Sequence, residues 1–141
     1  MGTLRQVAVL LLIAAGFASG AASADTSCPA AGKPSGTRLT EGGTTLVVRF
    51  PDGKVRVGRP FAIELIACSA DGSPVRFARV DAWMPAHGHG MNYRPTGKTL
   101  GDGQRRFEGF LCHMPGMWEL RADIVTAKGR TRFRLPIKVG P

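Results

Sequence analysis

Residues 61–68 read FAIELIAC, and the fold prediction is built outward from this segment. It is the most apolar run after the N-terminal region, and turn signals bound it on both sides, GRP at residues 58–60 and DGSP at 71–74. An apolar run of this length between turns is typical of a β-strand that passes through a core. We therefore expect residues 61–68 to form a central strand.

Short strand-like runs separated by turn signals continue in both directions from this stretch, and no helical stripe follows the N-terminal region. The spacing predicts an all-β protein, an immunoglobulin-like antiparallel β-sandwich of about seven strands spanning residues 44–141. Residues 25–43 are rich in Pro, Gly, Ser and Thr and are expected to form an irregular lead-in. The predicted strands are residues 44–50, 54–57, 61–68, 79–84, 104–111, 117–125 and 130–139, with 85–103 as a long connection.

The N-terminus has the pattern of a secretory signal peptide. Arg5 is followed by an apolar run at residues 7–18 and by ASA at 22–24. A basic start, about a dozen apolar residues and a small-residue cleavage site define such a peptide, and the run is short for a membrane span of about 20 residues. We expect cleavage after Ala24, export to the periplasm and a single mature domain, with an uncleaved N-terminal anchor as the alternative.

The chain is strongly basic, with a formal net charge of +9. Without Arg5 the mature protein has 18 Lys and Arg against 10 Asp and Glu, a net charge of +8. An exported protein rarely meets nucleic acid, and the arginines lie scattered through strand-like segments rather than clustered. We therefore expect no nucleic acid partner. The charge favours a solvated basic surface that aids contact with anionic lipid or an acidic partner.

Two short segments hold nearly all the soft metal-binding side chains: residues 84–91 (MPAHGHGM) and 112–117 (CHMPGM). They contain all three histidines, one of the three cysteines and four of the five methionines. In the predicted sandwich, the connection after the fourth strand and the loop after the fifth fall at the same end. The fold prediction therefore brings the two segments together.

Imidazole, thioether and thiolate are ligands that suit copper, above all Cu(I). His87, His89 and Met91 are two residues apart, so their side chains point the same way in an extended segment. The predicted ligands are His87, His89, His113, Met91 and Met117, with Cys112, Met114 and Met84 less certain. Met84 shares a strand face with Val80 and Ala82, which also suits a core residue. Zinc is the competing metal, but its sites rarely use methionine.

Three cysteines in an exported domain imply one disulfide and one free thiol. Cys68 ends a strand at the end opposite the soft donors, whereas Cys112 lies among them. A strand of eight residues spans roughly 26 Å, far more than a disulfide bridges. We predict a Cys28–Cys68 disulfide and a free Cys112. The alternatives are that Cys112 is a buried apolar residue or pairs with Cys28.

The sequence does not favour an enzyme. Cys112 and His113 are adjacent, so a strand would splay their side chains apart, and no acid is placed to orient the histidine. There is no phosphate-binding glycine loop and no pair of carboxylates. We expect no catalytic residues.

The stretches VDAWMPAHGHGMNYRP (80–95) and GFLCHMPGMWELRAD (109–123) together resemble the YtkA-like (FixH-like) domain, a small exported or membrane-tethered β-sandwich of the bacterial envelope. The resemblance covers about half of the mature chain. It implies a role in handling periplasmic copper or in copper loading of respiratory oxidases. By residue it points to Met84, His87, His89, Met91, His113, Met114 and Met117. Cys112 is a departure from the family pattern.

The sequence supports two alternative functions, a metal-binding protein and a protein-interaction module. The first is a periplasmic protein that holds Cu(I), or Cu(II) through its histidines, for copper handling or delivery to an envelope or membrane protein. The second is a metal-free interaction module of the envelope, whose two Met-Pro loops form an apolar docking surface. Copper titration distinguishes them.

Overall fold

A computed structural model describes residues 36–141, and the predicted signal peptide and Cys28 lie outside the described residues. The described part of the chain is all-β and has no helix that could cross a membrane. It contains nine strands: β1 (Thr37–Glu41), β2 (Thr44–Arg49), β3 (Phe61–Ser69), β4 (Arg76–Met84), β5 (His89–Gly90), β6 (Thr96–Gly101), β7 (Gln104–Phe110), β8 (Gly116–Thr126) and β9 (Gly129–Val139).

The strands form two antiparallel sheets. One sheet has the order β1-β2-β3-β7-β6 and the other has the order β5-β4-β8-β9. In the first sheet, β3 lies between β2 and β7, and in the second sheet β8 lies between β4 and β9. This division of the strands matches the immunoglobulin arrangement. The predicted immunoglobulin-like sandwich is confirmed, and β3 lies in the middle of its sheet as its apolar sequence indicated.

The core lies between the two sheets and follows the strand period of two. Ile63 and Leu65 from β3 face Leu120 and Ile124 from β8, and none of these four side chains is more than 1% exposed. Burying a side chain of this size contributes roughly 1.5–3 kcal/mol. This apolar layer fixes the relative position of the two sheets and of the loops at their ends.

The predicted lead-in is too long, because Thr37–Glu41 form β1. Gly42 and Gly43 both have positive φ angles, +57° and +72°, and join β1 to β2 with Glu41 opposite Thr44. Two such residues make the type I′ turn that suits a two-residue hairpin. Since β1 is an exposed edge strand, it needs no apolar alternation, and its polar sequence concealed it.

Two further details of the predicted strands were wrong. Residues 54–57 alternate and bury Val55, yet they make only one isolated parallel bridge, Arg56 to Gly140, instead of a strand. The connection 85–103 contains β5 and β6. β6 is exposed at every position, and β5 has only two residues, so neither leaves an apolar pattern in the sequence.

The register of β4 and β8 brings the two soft-donor segments together. Trp83 pairs with Glu119, so the end of β4 lies beside the beginning of β8. Residues 85–88 leave β4 at this end, and residues 111–115 enter β8 there. The predicted meeting of the two loops is therefore confirmed.

Candidate metal centre

The three histidines form a row across the two loops. The ring centroids of His89 and His113 are 5.0 Å apart, with the rings stacked at 27°. The ring of His87 lies 5.9 Å from that of His89 on the first loop. His87 and His113 are exposed, and His89 is half-buried. The row is therefore open to solvent at both ends, His87 and His113, and partly covered at His89.

A tight turn after β4 places the first two histidines. The carbonyl oxygen of Met84 accepts hydrogen bonds from the backbone N–H of His87 at 3.2 Å and of Gly88 at 2.9 Å. Gly88 has a φ of +67°, which a residue with a side chain rarely adopts. The chain then reverses, and His89 pairs with Met84 in β5. His89 is thereby fixed to the sheet edge.

Trp118 holds the second loop and supports the histidines. Its indole N–H donates to the carbonyl oxygen of Met114 at 2.9 Å. Its ring, only 1% exposed, meets the rings of His89 and His113 edge-on at 5.8 Å and 5.5 Å. One buried indole therefore positions an imidazole from each loop. In the sequence, Trp118 is simply the residue after the second soft-donor segment, and nothing there indicates its contact with two histidines.

The orientation of the His89 ring also favours an external ligand. Its Nδ1 lies 3.0 Å from the carbonyl oxygen of Gly90. In the tautomer with a proton on Nδ1, this atom donates to the carbonyl and leaves the Nε2 lone pair available. A backbone partner of this kind commonly orients metal-binding histidines.

The four methionines divide by burial. Met84 is 4% exposed and belongs to the core, and its methyl lies 3.1 Å from the place where a Cβ on Gly116 would be. Met91 and Met114 are half-buried and pack against the core. Met117 is 52% exposed at the start of β8. Thioether sulfur is therefore available on the surface at Met117 and near the surface at the two half-buried residues.

Cys112 is a free, fully buried cysteine. Its backbone carbonyl accepts a hydrogen bond from the N–H of Gly58, and its side chain belongs to the core. Burial raises the pKa of the thiol from its ordinary value of 9.0 to about 11. A metal ligand must be the thiolate, and burial disfavours this form. Cys112 therefore behaves as an apolar core residue in this structure.

The two cysteines of the described chain lie at opposite ends of the sandwich. Phe61 pairs with Phe110 at one end of β3, and Cys68 lies seven residues further along that strand. This span is about 23 Å, so Cys68 and Cys112 cannot form a disulfide. The predicted partner of Cys68, Cys28, lies outside the described residues, and the Cys28–Cys68 pairing stays a prediction.

Within residues 36–141, no group of three or more His, Cys, Asp or Glu side chains is arranged so that it could hold a metal ion.

The arginines are more clustered than their spacing in the sequence indicated. Arg130, Arg132 and Arg134 alternate along β9, so their side chains share the outer face of the sheet. Arg79 and Arg121 lie on the same face of neighbouring strands. The spacing of two within one strand was the signal for this cluster.

No protein-family model matches the chain, and no match was found among curated proteins.

Proposed function

We propose that this is a periplasmic copper-binding protein that holds Cu(I), and Cu(II) when oxidised, for copper handling or delivery. His87, His89 and His113 supply imidazole nitrogen, and Met91 and Met117 supply thioether sulfur, with Met114 as a further donor. The observation that carries the proposal is the stacked contact of His89 and His113, since it joins two loops that are far apart in sequence.

The separation of the rings suits one ion. Two imidazoles bound to a tetrahedral ion have ring centroids roughly 5 Å apart, since each metal–nitrogen bond is about 2 Å. The observed separations are 5.0 Å for His89 with His113 and 5.9 Å for His87 with His89. The stacked rings must rotate about their side-chain torsions to point their nitrogens at the ion. Exposure of His113 leaves room for this rotation.

The donors favour copper over zinc and over hard cations. Mg²⁺ and Ca²⁺ require oxygen ligands, and zinc sites are completed by thiolate, imidazole or carboxylate. Here the thiol of Cys112 is buried and protonated, and the available additional donors are methionines. Imidazole with thioether is a set that suits copper.

Exposure of the site favours transfer of the metal. His87, His113 and Met117 are all exposed, so a partner can reach the ion without unfolding the domain. We propose an envelope or membrane protein as the recipient. This role agrees with the resemblance of both loops to the YtkA-like family.

Anaerobic titration of the exported protein with Cu(I), in competition with a chelator, tests the proposal. We expect a Kd well below 1 µM, a value that corresponds to about 8 kcal/mol of binding free energy. His89→Ala/His113→Ala should weaken binding at least about a hundredfold, since altering even groups that only support ligands costs 10–100-fold. Asn92→Ala, an exposed change beyond β5, is the control and should leave binding unchanged. Wild-type binding no tighter than micromolar would contradict the proposal.

A metal-free interaction module is the second candidate. Its support is that Met117, Pro85 and Pro115 are all exposed, together with the lack of a three-residue His, Cys, Asp or Glu group within the described range. It predicts that the titration shows no tight copper site and that the histidine variant behaves as the wild type does.

A further inference from the structure

The outer face of the four-stranded sheet carries an ordered cluster of arginines. We call this surface the arginine face; it consists of Arg79 on β4, Arg121 on β8, and Arg130, Arg132 and Arg134 on β9. Lys138 lies further along the outward side of β9. Only three acids share the face: Asp81, Glu119 and Asp123. Arg76 also lies on this side, because it pairs with Val125 opposite Arg130. With Lys138, seven cations therefore lie there against three anions.

The acids of this face lie below the arginines. The side chains of Asp123, Glu119 and Asp81 are 2%, 20% and 21% exposed, whereas those of Arg130 and Arg134 are 61% and 58% exposed. A side chain on the outside of a sheet is buried only when its neighbours cover it. Solvent therefore meets guanidinium groups, and the carboxylates support them from beneath.

Asp123 and Glu119 each lie near two arginines and form a hydrogen bond with one of them. Arg132 binds Asp123 through Nε at 2.6 Å and Nη2 at 2.8 Å, and Arg121 binds Glu119 at 2.6 Å. The hydrogen bond from Arg132 holds the pKa of Asp123 below its ordinary value, so this acid stays charged. It fixes Arg132 and offsets one of the positive charges, so the layer keeps a smaller net positive charge.

The outer arginines keep free donors. Arg130 lies 3.8 Å from Asp123 and Arg134 lies 3.9 Å from Glu119, distances beyond a hydrogen bond. Each guanidinium has five N–H donors in a planar fork that suits phosphate oxygens. Two positively charged forks on β9 therefore lie near an acid without a hydrogen bond to it and are open to an external anion.

We propose that the arginine face docks on a membrane surface rich in anionic phospholipid headgroups. The cations spread over three strands, about 10 Å across, and along β9 from Arg130 to Lys138, about 27 Å. A single phosphate spans only a fraction of this area, whereas a layer of headgroups matches both its extent and its charge. The proposal does not depend on copper, because none of the five arginines belongs to the proposed ligand set, although Met117 lies on the same side of the sheet opposite Lys138.

The outer face of the other sheet differs in having an exposed acid among its cations. On its outer face Arg106 donates hydrogen bonds to both Glu64 and Glu108. The side chain of Glu108 is 62% exposed, so this acid presents its charge to solvent beside the arginine. This face also carries Arg38, Arg49 and Lys98, so it differs from the arginine face in its exposed carboxylate rather than in a lack of cations.

Co-sedimentation with vesicles tests the proposal. The exported, metal-free protein is mixed with vesicles of phosphatidylcholine alone or with an equal share of phosphatidylglycerol. We expect binding only to the anionic vesicles and release as salt rises, because the Debye length falls from about 10 Å at 0.1 M to 3 Å at 1 M. Arg130→Gln/Arg134→Gln should weaken binding about 25-fold, since each basic residue near such a surface contributes a factor of about five.

Lys54→Gln/Lys98→Gln is the matched control. It removes the same two charges from exposed positions outside the arginine face and should reduce binding far less. An equal loss in the two variants would show that net charge alone acts and would overturn the proposal. So would a wild-type protein that stays in solution with anionic vesicles, which would leave an acidic protein as the partner of this face.

Discussion

The soft-donor end of the sandwich has two layers that differ in purpose. The inner layer is Met84, Cys112 and Trp118, which are 4%, 0% and 1% exposed. The outer layer is His87, His113 and Met117, which face solvent. All of these residues except Trp118, which follows directly, come from the same two segments. Strand alternation separates Met117, which points outward, from its neighbour Trp118, which points inward. Side-chain chemistry alone therefore does not identify a ligand; the face of the strand decides.

The largest expected effect is in the inner layer. Trp118→Ala should lower the free energy of unfolding by about 3–5 kcal/mol, because it removes a buried aromatic ring and leaves a cavity. It also removes the support of His89 and His113, so copper affinity should fall as well. Chemical denaturation and copper titration of the same sample measure the two effects. Unchanged stability would show that the indole is not part of the core.

The two methionines allow the same substitution in each layer. Met84→Ala should cost about 2–5 kcal/mol of stability, while Met117→Ala should stay within about 0.5 kcal/mol because Met117 is exposed. The order reverses for copper: Met117→Ala should weaken binding and Met84→Ala should not. Denaturant midpoints and copper titrations compare the pair. If both variants lost copper equally, the division into layers would be wrong.

The inner layer also predicts a sensitivity to alkali. The thiol of Cys112 ionises at 9.0 when unfolded, but burial raises its pKa to about 11 in the folded protein. The free energy of unfolding is therefore unaffected by this thiol below pH 9. It decreases by up to about 3 kcal/mol as pH rises towards 11, because the unfolded chain can ionise the thiol and the folded protein cannot. Cys112→Ala should remove this part of the loss of stability at alkaline pH. Parallel denaturation curves for the two proteins between pH 8 and about 11 test the sign; identical slopes would argue against a buried thiol.

The smallest expected effect on stability is in the outer layer. His87→Ala should change the free energy of unfolding by less than about 0.5 kcal/mol, because the side chain is exposed. Copper affinity should nevertheless fall. Thermal unfolding without and with copper separates these outcomes, since a bound ligand raises the stability of the folded state. A histidine variant that is stabilised by copper as strongly as the wild type would remove His87 from the ligand set.

Much of this organisation could be predicted from the sequence. The apolar run at residues 61–68 indicated the central strand, and counting strands placed the soft-donor loops at one end. Alternation with Val80 and Ala82 indicated the buried position of Met84. These predictions succeeded because burial on one face imposes a period of two on the sequence.

The remaining features leave little trace in one sequence. β1 and β6 are exposed edge strands, so burial imposes no pattern on them. The hydrogen bond from Trp118 to Met114 and its contacts with two histidines depend on tertiary structure. The arginine face likewise joins three strands whose register is set by pairing rather than by local sequence.

X-ray absorption at the copper edge tests the central claim most directly. The wild-type protein loaded with one equivalent of Cu(I) should show imidazole nitrogen at about 2 Å, together with sulfur from methionine. The nitrogen signal should fall in His89→Ala/His113→Ala. A spectrum without imidazole scattering in the wild type would contradict the account, because copper would then be bound elsewhere.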